Sequence, residues 1–274
     1  MQVNEQDIQN IVRSVLSEMT SSKPQASSSS GSIPKTAKVS MLTGERKMEI
    51  MEFPIPEVGD DDILVKVEGC GICGTDVHEW KGDPFGFIPV ILGHEGTGEV
   101  IALGKNVKID SAGNSIKVGD KLVTSVISCG HCNSCMLHPD QPHLCENQGI
   151  YGLIPNKNKA LNGWFASHML IGKGSTFFVV SELNLNQRML LELAAVCVHA
   201  IGRAQSTGLL HFNSKVLLQG CGPVGLMMTA VLKASGINYI IALDGDSKRL
   251  EMAKRLGAMK TVNFKHLLIV YAIT

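Results

Sequence analysis

The motif KVLLQGCGPVG, residues 215–225, joins a short apolar run to three closely spaced glycines, Gly220, Gly222 and Gly225. The apolar segment LMMTAVLKASG follows it directly. A strand that leads through G-x-G-x-x-G into a helix is typical of dinucleotide-binding domains, because the glycines let the backbone approach a pyrophosphate at the N-terminus of the helix. The motif therefore predicts an α/β domain with a doubly wound parallel sheet.

The next predicted strand, YIIALDGD, carries Asp244 near its end, about twenty residues after the glycines. A carboxylate at this place accepts hydrogen bonds from the hydroxyls of the adenosine ribose and repels the 2′-phosphate of NADP. The sequence therefore predicts NAD as the cofactor. We expect Arg249 to join the three glycines and Asp244 in the cofactor site.

Upstream of the nucleotide motif, residues 73–95 bring six polar side chains together among many glycines. The six are Cys73, Thr75, Asp76, His78, His94 and Glu95. Thiolate, imidazole and carboxylate groups are suitable zinc ligands, and a catalytic zinc keeps one position open for water or substrate. Taken singly, Cys73 is more often a small buried residue and His94 more often a hydrogen-bonded loop residue. The metal interpretation therefore depends on the set as a whole and on the next motif.

A third motif, CGHCNSCMLHPDQPHLC at residues 129–145, repeats C-x-x-C spacing and adds a fourth cysteine. Four thiolates in one loop suit a closed, tetrahedral structural zinc site. The predicted ligands are Cys129, Cys132, Cys135 and Cys145. Disulfides are disfavoured, because eight cysteines without a signal peptide indicate a reducing compartment. Three neighbouring histidines stay open as substitute ligands, namely His131, His138 and His143.

Composition and charge exclude several classes of protein. The chain has 274 residues, with 25 basic and 25 acidic side chains and 44% hydrophobic residues. This hydrophobic content excludes wholesale disorder, and zero net charge argues against a nucleic-acid binder. No apolar run reaches the roughly 18 residues of a membrane span, and the first residues do not read as a signal peptide. We therefore expect a cytoplasmic protein that binds neither nucleic acid nor membrane.

The first residues carry a separate amphipathic segment. Apolar side chains recur at helical spacing in NEQDIQNIVRSVLSEM, residues 4–19, and residues 20–38 read as a flexible linker rich in serine and proline. A helix this short needs a groove, either on its own protein or on a partner. Its acidic residues disfavour a membrane-surface helix or a mitochondrial presequence. The long linker favours a helix over residues 1–19 that docks on another protein.

Residues 40 to about 264 resemble a zinc-containing medium-chain alcohol dehydrogenase. The motifs that carry this resemblance are GICGTDVH, GHEGTGEV, GDKL, CGHCNSC, LELAAVCVHA, GCGPVG and LDGDSKRLEMAKRLGA. Within that family the chain is most similar to the branch of sorbitol and other polyol dehydrogenases and threonine dehydrogenases. The resemblance implies a GroES-like β-barrel catalytic domain over residues 39–185 and a partial Rossmann domain over residues 186–274.

The resemblance also implies roles for individual residues. Cys73 and His94 match ligands of the catalytic zinc, and Glu95 matches an adjacent glutamate that is a ligand in the polyol branch. Glu192 matches an acid that binds the zinc or its water. The four cysteines of residues 129–145 match the structural zinc lobe.

The implied reaction is hydride transfer between a small alcohol or polyol and NAD, or the reverse reduction of an aldehyde or ketone. Zinc lowers the pKa of a bound alcohol, and the alkoxide carbon gives hydride to the nicotinamide. Thr75 matches the hydroxyl that shuttles the alcohol proton, and His78 matches a relay imidazole. A zinc-free reductase of the same superfamily is disfavoured, because every ligand position is filled.

The chain departs from the family pattern in three places. Nine residues, where the family has seven, precede Cys145, and Leu193 stands where the family has a proline. Family members are also longer, and the tail HLLIVYAIT does not resemble their continuation. We interpret the chain as a truncated or frameshifted product, for which an inactive zinc-binding fragment is the alternative function. A homo-oligomer is expected for the full-length protein.

The amphipathic segment resembles the encapsulation peptides that target enzymes into bacterial microcompartments. This resemblance covers about fifteen residues and rests on the apolar stripe and the linker. It implies that the protein is microcompartment cargo, with shell or other cargo proteins as partners of residues 1–19.

Overall fold

A computed structural model of the protein describes residues 33–266. The predicted helix over residues 1–19, most of the predicted linker and the last eight residues lie outside this range. The chain forms two compact units, which divide between Glu192 and Leu193. The predicted boundary after residue 185 lies earlier, because a short helix that follows residue 184 packs on the first unit.

The strands of the first unit form two antiparallel sheets. They are β1 Thr36–Gly44, β2 Lys47–Pro54, β3 Ile63–Cys70, β4 Val90–Ile91, β5 Gly96–Leu103, β6 Lys121–Ile127, β7 Gly149–Ile150, β8 His168–Ile171 and β9 Ser175–Val179. The larger sheet has the order β7-β6-β5-β3-β8, with β9 also paired to β6, and the smaller has the order β2-β1-β4. The predicted linker ran to residue 38, but β1 already begins at Thr36, since Ala37 and Val39 are buried and pair with β2.

The main core of the first unit lies on the larger sheet. Ile63 and Val65 of β3 pack there with Val100 and Trp164. The indole Nε1 of Trp164 donates a hydrogen bond of 3.1 Å to Thr124 Oγ1, so the buried ring leaves no polar atom without a partner. This core holds together the C-terminal end of β3 and the start of β5, and the predicted catalytic zinc residues lie next to these two strand ends.

Three short helices and the start of a longer one complete the first unit. They are α1 Gly74–Gly82, α2 Asn133–Leu137, α3 Leu185–Met189 and α4 Leu191–Ser206, of which α4 continues into the second unit. Helix α1 follows β3 directly and ends at Asp83, whose backbone is left-handed, with φ 47°. A 3₁₀ turn, Pro142–Leu144, follows α2. Within residues 33–266, no helix is both long and apolar enough to cross a membrane.

The second unit contains a three-stranded parallel sheet of order β10-β11-β12. Its elements are β10 Lys215–Gln219, α5 Pro223–Ala234, β11 Tyr239–Asp244, α6 Ser247–Arg255, β12 Lys260–Asn263 and a 3₁₀ turn at Phe264–His266. Helix α5 buries an apolar face that includes Met227 and Val231, while Asp246 caps α6 by accepting hydrogen bonds from the amides of Lys248 and Arg249. This strand–helix alternation is the βαβ arrangement that the glycine motif predicts.

Candidate functional site

Cys73, His94 and Glu95 form one candidate metal site. Each offers a ligand atom, and these three atoms all lie within 4.8 Å of one another. Cys73 sits between β3 and α1, and the other two residues sit between β4 and β5. His94 is buried, whereas Cys73 and Glu95 are half-buried. The fold therefore brings a thiol, an imidazole and a carboxyl to one point.

Glycine at position 71 allows this approach. A Cβ atom on Gly71 would collide with Oε2 of Glu95, and the Gly71 amide donates a 3.1 Å hydrogen bond to the Glu95 carbonyl. The segment between β3 and α1 can therefore lie directly against the segment between β4 and β5. Cys70, at the end of β3, is not one of the three clustered residues, and burial raises the pKa of its thiol to about 12.

Asp76 links the same two segments, and sequence reasoning assigned it no role. Its Oδ2 accepts a 2.8 Å hydrogen bond from the Cys73 amide, and its Oδ1 accepts one of 3.2 Å from the Gly93 amide. The same Oδ1 lies 3.8 Å from Nδ1 of His94. Asp76 is 3% exposed and occupies the third position of α1, where an acid satisfies the amide that starts a helix. The C-x-x-D spacing is the sequence signal that could have identified it.

The donor set fits a zinc ion. Nδ1 of His94 is buried and has no hydrogen-bond partner within residues 33–266, although polar atoms in a protein interior are normally paired. An imidazole without a strong hydrogen bond, beside a thiol and a carboxyl, suits the nitrogen, sulfur and oxygen ligands that zinc takes. Three protein ligands also leave a fourth position of a tetrahedron for water or substrate.

Thr75 and Glu192 lie near this cluster. The Thr75 hydroxyl is 3.7 Å from the Cys73 sulfur, and His78 is exposed on α1. Glu192, in the first turn of α4, interacts electrostatically with His94 and Glu95. Burial raises the pKa of Glu192, the nearby His94 opposes this shift and Glu95 adds to it.

The four cysteines of residues 129–145 form a second candidate metal site. Their sulfur atoms all lie within 4.8 Å of one another, and those of Cys129 and Cys135 are 4.0 Å apart. This is close to the edge of a tetrahedron with zinc–sulfur bonds of about 2.3 Å. All eight cysteines of the chain are free, so disulfides do not compete for these sulfurs. None of the three nearby histidines belongs to the cluster.

Backbone amides surround these sulfurs. The amide of Cys129 donates to Sγ of Cys145 at 3.2 Å, and the amides of Cys135 and Glu146 donate to Sγ of Cys132 at 3.5 Å. A hydrogen bond from the His131 amide is the main cause that lowers the pKa of Cys129 to about 6. Such donors stabilise thiolates, the form that binds zinc. Helix α2 and the 3₁₀ turn both lie between Cys132 and Cys145.

The glycine motif of the second unit lies against Asp244. Oδ2 of Asp244 accepts a 2.7 Å hydrogen bond from the Cys221 amide, and Oδ1 accepts one of 2.8 Å from the Asp246 amide. These two amides lower the pKa of Asp244, and the Arg249 charge adds to the shift, so the carboxylate is ionised at neutral pH. Arg249 itself is exposed. The loop thus combines an anion with the free N-terminus of α5.

Comparison with protein families gives two matches along the chain. Residues 59–180 match the alcohol dehydrogenase GroES-like domain. Residues 223–272 match the zinc-binding dehydrogenase family. The second match runs beyond residue 264, where the resemblance carried by the motifs ended, and into the tail segment.

Individual proteins of the same kind are also similar. Sorbitol dehydrogenase from Bacillus subtilis is 31% identical, over 85% of this chain and 63% of the relative. An L-threonine 3-dehydrogenase from Photorhabdus laumondii is 32% identical, over 82% of this chain and 62% of the relative. The crystal structure of an alcohol dehydrogenase from Thermotoga maritima aligns with a TM-score of 0.76 at 28% identity, and covers 85% of this chain and 64% of that one.

The chain thus spans less than two thirds of the length of these relatives. The matches nevertheless include both units, and they confirm the predicted fold class, a GroES-like domain followed by a Rossmann-type domain. Both units of the chain are therefore similar to zinc-type medium-chain alcohol and polyol dehydrogenases.

Proposed function

We propose that the protein is a zinc-dependent oxidoreductase that transfers a hydride between NAD and a small alcohol or polyol. The observation that carries the proposal is the convergence of Cys73, His94 and Glu95 within 4.8 Å, with the Glu192 carboxyl beside them. The relatives named sorbitol, threonine and alcohol dehydrogenase support the substrate class.

In this proposal, Cys73, His94 and Glu95 hold the catalytic zinc. A bound zinc acts as a Lewis acid that lowers the pKa of an alcohol hydroxyl and polarises a carbonyl oxygen. Thr75, two residues after Cys73, would relay the hydroxyl proton of the substrate, because its oxygen can accept that proton while its own hydroxyl proton is passed on. His78 lies one turn further along α1 and is exposed, so it can pass that proton to solvent. Glu192 faces the ligands and supplies a further acceptor for the zinc or its water.

The second unit supplies the cofactor site. The N-terminus of α5 and the amides of the glycine motif favour a pyrophosphate, since helix N-termini bind anions. The ionised Asp244 favours an adenosine ribose with free hydroxyls and disfavours a 2′-phosphate, which supports NAD over NADP. The four-cysteine site holds a structural zinc, because a closed set of four sulfurs leaves no position for substrate.

The amphipathic segment adds a proposed location. We propose that residues 1–19 deliver the enzyme to a bacterial microcompartment through shell or cargo proteins, with the serine-rich linker as a tether. The support is the helical spacing of its apolar residues and its resemblance to encapsulation peptides. A homo-oligomer of the full-length enzyme belongs to the same proposal.

The proposal is tested with the 274-residue chain through zinc content and dehydrogenase activity. We expect two zinc ions per chain, and reduction of NAD with short alcohols or polyols is the measure of activity. The variant Gly71→Ala should lose the catalytic zinc, because its methyl group collides with Glu95, and it should also lose activity. Gly74→Ala is the matched control, since no atom lies within 4 Å of a Cβ at that position.

Each result has a defined meaning. Two zinc ions without turnover of any alcohol would favour the alternative, a zinc-binding fragment without dehydrogenase activity. One zinc ion in the unmodified chain, or equal zinc loss in Gly71→Ala and Gly74→Ala, would contradict the assignment of the catalytic site.

A further inference from the structure

We propose that Arg188 is a positioning residue, which holds Glu192 at the catalytic zinc site by pinning helix α3 to strand β3 through Glu68. This inference rests on the proposed function, because it assigns a purpose to the placement of Glu192. It adds a residue whose contacts lie away from the zinc ligands and whose effect reaches the metal through the backbone.

The first observation is an ion pair between a buried arginine and a partly exposed glutamate. Nη1 of Arg188 donates a 2.7 Å hydrogen bond to Oε2 of Glu68, and the Arg188 side chain is 6% exposed. The other oxygen of Glu68 accepts a 3.0 Å hydrogen bond from Lys121, which also pairs with Glu99 at 2.6 Å. These four charged groups tie α3 to three neighbouring strands of the larger sheet, β3, β5 and β6.

A second contact lies one residue further along both elements. A Cβ atom on Gly69 would lie 2.7 Å from Sδ of Met189 and 3.3 Å from a methyl carbon of Leu185. Glycine at the end of β3 therefore lets α3 rest directly on the strand. Position 69 is two residues before Gly71, which in turn touches Glu95. The strand that supports α3 is thus continuous with the segment that builds the zinc site.

Helix α3 needs these contacts, because five residues do not form a stable helix alone. Its first turn is closed locally, as Asn184 and Gln187 exchange hydrogen bonds of 3.0 and 3.1 Å. Its last turn is held by Arg188 and Met189. Glu192 follows within four residues, in the first turn of α4. The orientation of the last turn of α3 therefore determines where α4 starts, and with it the position of the Glu192 carboxyl.

Stability alone accounts poorly for an arginine at this place. Nε of Arg188 is buried and finds no hydrogen-bond partner in the part of the chain that the structure describes. Burial of a guanidinium with an unpaired donor is unfavourable, and an apolar side chain of similar length often serves stability as well or better. The bond from a planar guanidinium to a carboxylate does, however, define a direction, which a hydrophobic contact does not. We infer that the ion pair fixes the orientation of α3 and thereby the position of Glu192 at the zinc site.

The test replaces zinc with cobalt(II) in the full chain and compares two variants. Arg188→Met removes the ion pair, and Lys117→Met is the control, since it removes an exposed ion pair to Asp120 that lies away from α3. We expect Arg188→Met to change the visible spectrum of the catalytic-site cobalt and to release that metal to a chelator at least about 10-fold faster. Cobalt bound by the four cysteines should keep its spectrum and its release rate in both variants.

A double-variant comparison separates positioning from general weakening. Glu192→Gln should alter the catalytic-site cobalt in the same way, and Arg188→Met combined with Glu192→Gln should then add little, because both act through one carboxyl. Additive effects, an unchanged catalytic-site spectrum, or equal metal loss from both sites would each overturn the proposal. If Arg188→Met does not fold, the double variant Arg188→Met with Glu68→Gln is used in its place, because it removes both charges of the ion pair.

The proposed function fails in a different way. If unmodified protein binds cobalt only at the four cysteines, the assignment of the catalytic site is contradicted. The proposed role of Arg188 is then contradicted as well. If unmodified protein binds two cobalt ions while Arg188→Met behaves like Lys117→Met, only the positioning role is overturned.

Discussion

The carboxylate of Asp244 has both a structural and an electrostatic role in this chain. Its two oxygens hold the amides of Cys221 and Asp246, and so fix the glycine loop to the end of β11. The same hydrogen bonds lower its pKa and keep it charged at neutral pH. One side chain therefore shapes the loop and places a negative charge beside it.

The first prediction concerns this residue. We expect Asp244→Ser to weaken NAD binding about 10-fold to 100-fold, since a hydrogen bond to a charged group contributes about 1.5–3 kcal/mol. Discrimination against NADP should fall at the same time, because the repulsion of the 2′-phosphate is lost. Titration calorimetry with both dinucleotides measures this, with Glu251→Gln as an equal change of charge on α6. Tighter binding of NADP than of NAD by unmodified protein would refute the ribose assignment.

At the scale of elements, helix α1 contains a buried acid that the proposed mechanism does not use. Glu79 is 0% exposed, and among the described residues neither of its carboxyl oxygens has a hydrogen-bond partner. Burial raises its pKa from 4.5 to about 7, and the nearby Asp83 adds to the shift. Because the folded-state pKa is raised, Glu79 favours folding below about pH 4.5, and this contribution is lost as the pH rises through about 7.

The second prediction follows from this loss of folding stability as the pH rises. We expect Glu79→Gln to become more stable relative to unmodified protein as the pH rises from about 5 to about 9. The amide carries no charge at any of these pH values, so it avoids the cost of ionising a buried acid. Thermal unfolding of both proteins across this range measures the difference. Parallel stability curves would show that Glu79 ionises as readily as an exposed glutamate.

The lobe that carries the four cysteines supports a third prediction. Its only regular elements are α2 and a 3₁₀ turn, which together contain eight residues, so the metal is expected to provide most of its order. The variant Cys129→Ser with Cys132→Ser should lose one zinc ion per chain and leave the catalytic zinc in place. Elemental analysis decides this, with Cys197→Ser, a buried cysteine outside both metal sites, as the control. Unchanged zinc content would contradict the structural site.

The fourth prediction concerns the whole molecule. Residues 1–19, fused to a fluorescent protein in cells that produce microcompartment shells, should give discrete foci, because the apolar stripe docks on a compartment protein. Deletion of residues 1–32 should leave thermal stability unchanged, since β1 begins only at Thr36. Diffuse fluorescence, or a large loss of stability on deletion, would favour a helix that packs on its own protein.

Much of this protein could be predicted from local sequence. The C-x-x-C repeats, the GHEG segment and the glycine motif each place several residues within a few positions of one another, and short-range backbone geometry then determines most of their arrangement. The strands predicted near residues 215–219 and 239–243 appear as β10 and β11. The roles of the individual site residues stay predictions, which the experiments above address.

Only the tertiary structure decided the contacts between distant segments. Asp76 bridges Cys73 and Gly93, and Arg188 meets Glu68, which lies 120 residues earlier in the chain. Such contacts depend on the register between strands, such as the pairing of β3 with β5 that sets Glu95 against Gly71. A single sequence determines which residue types can bind a metal or a dinucleotide. Strand register and packing determine which of them meet, since these arise from the fold as a whole.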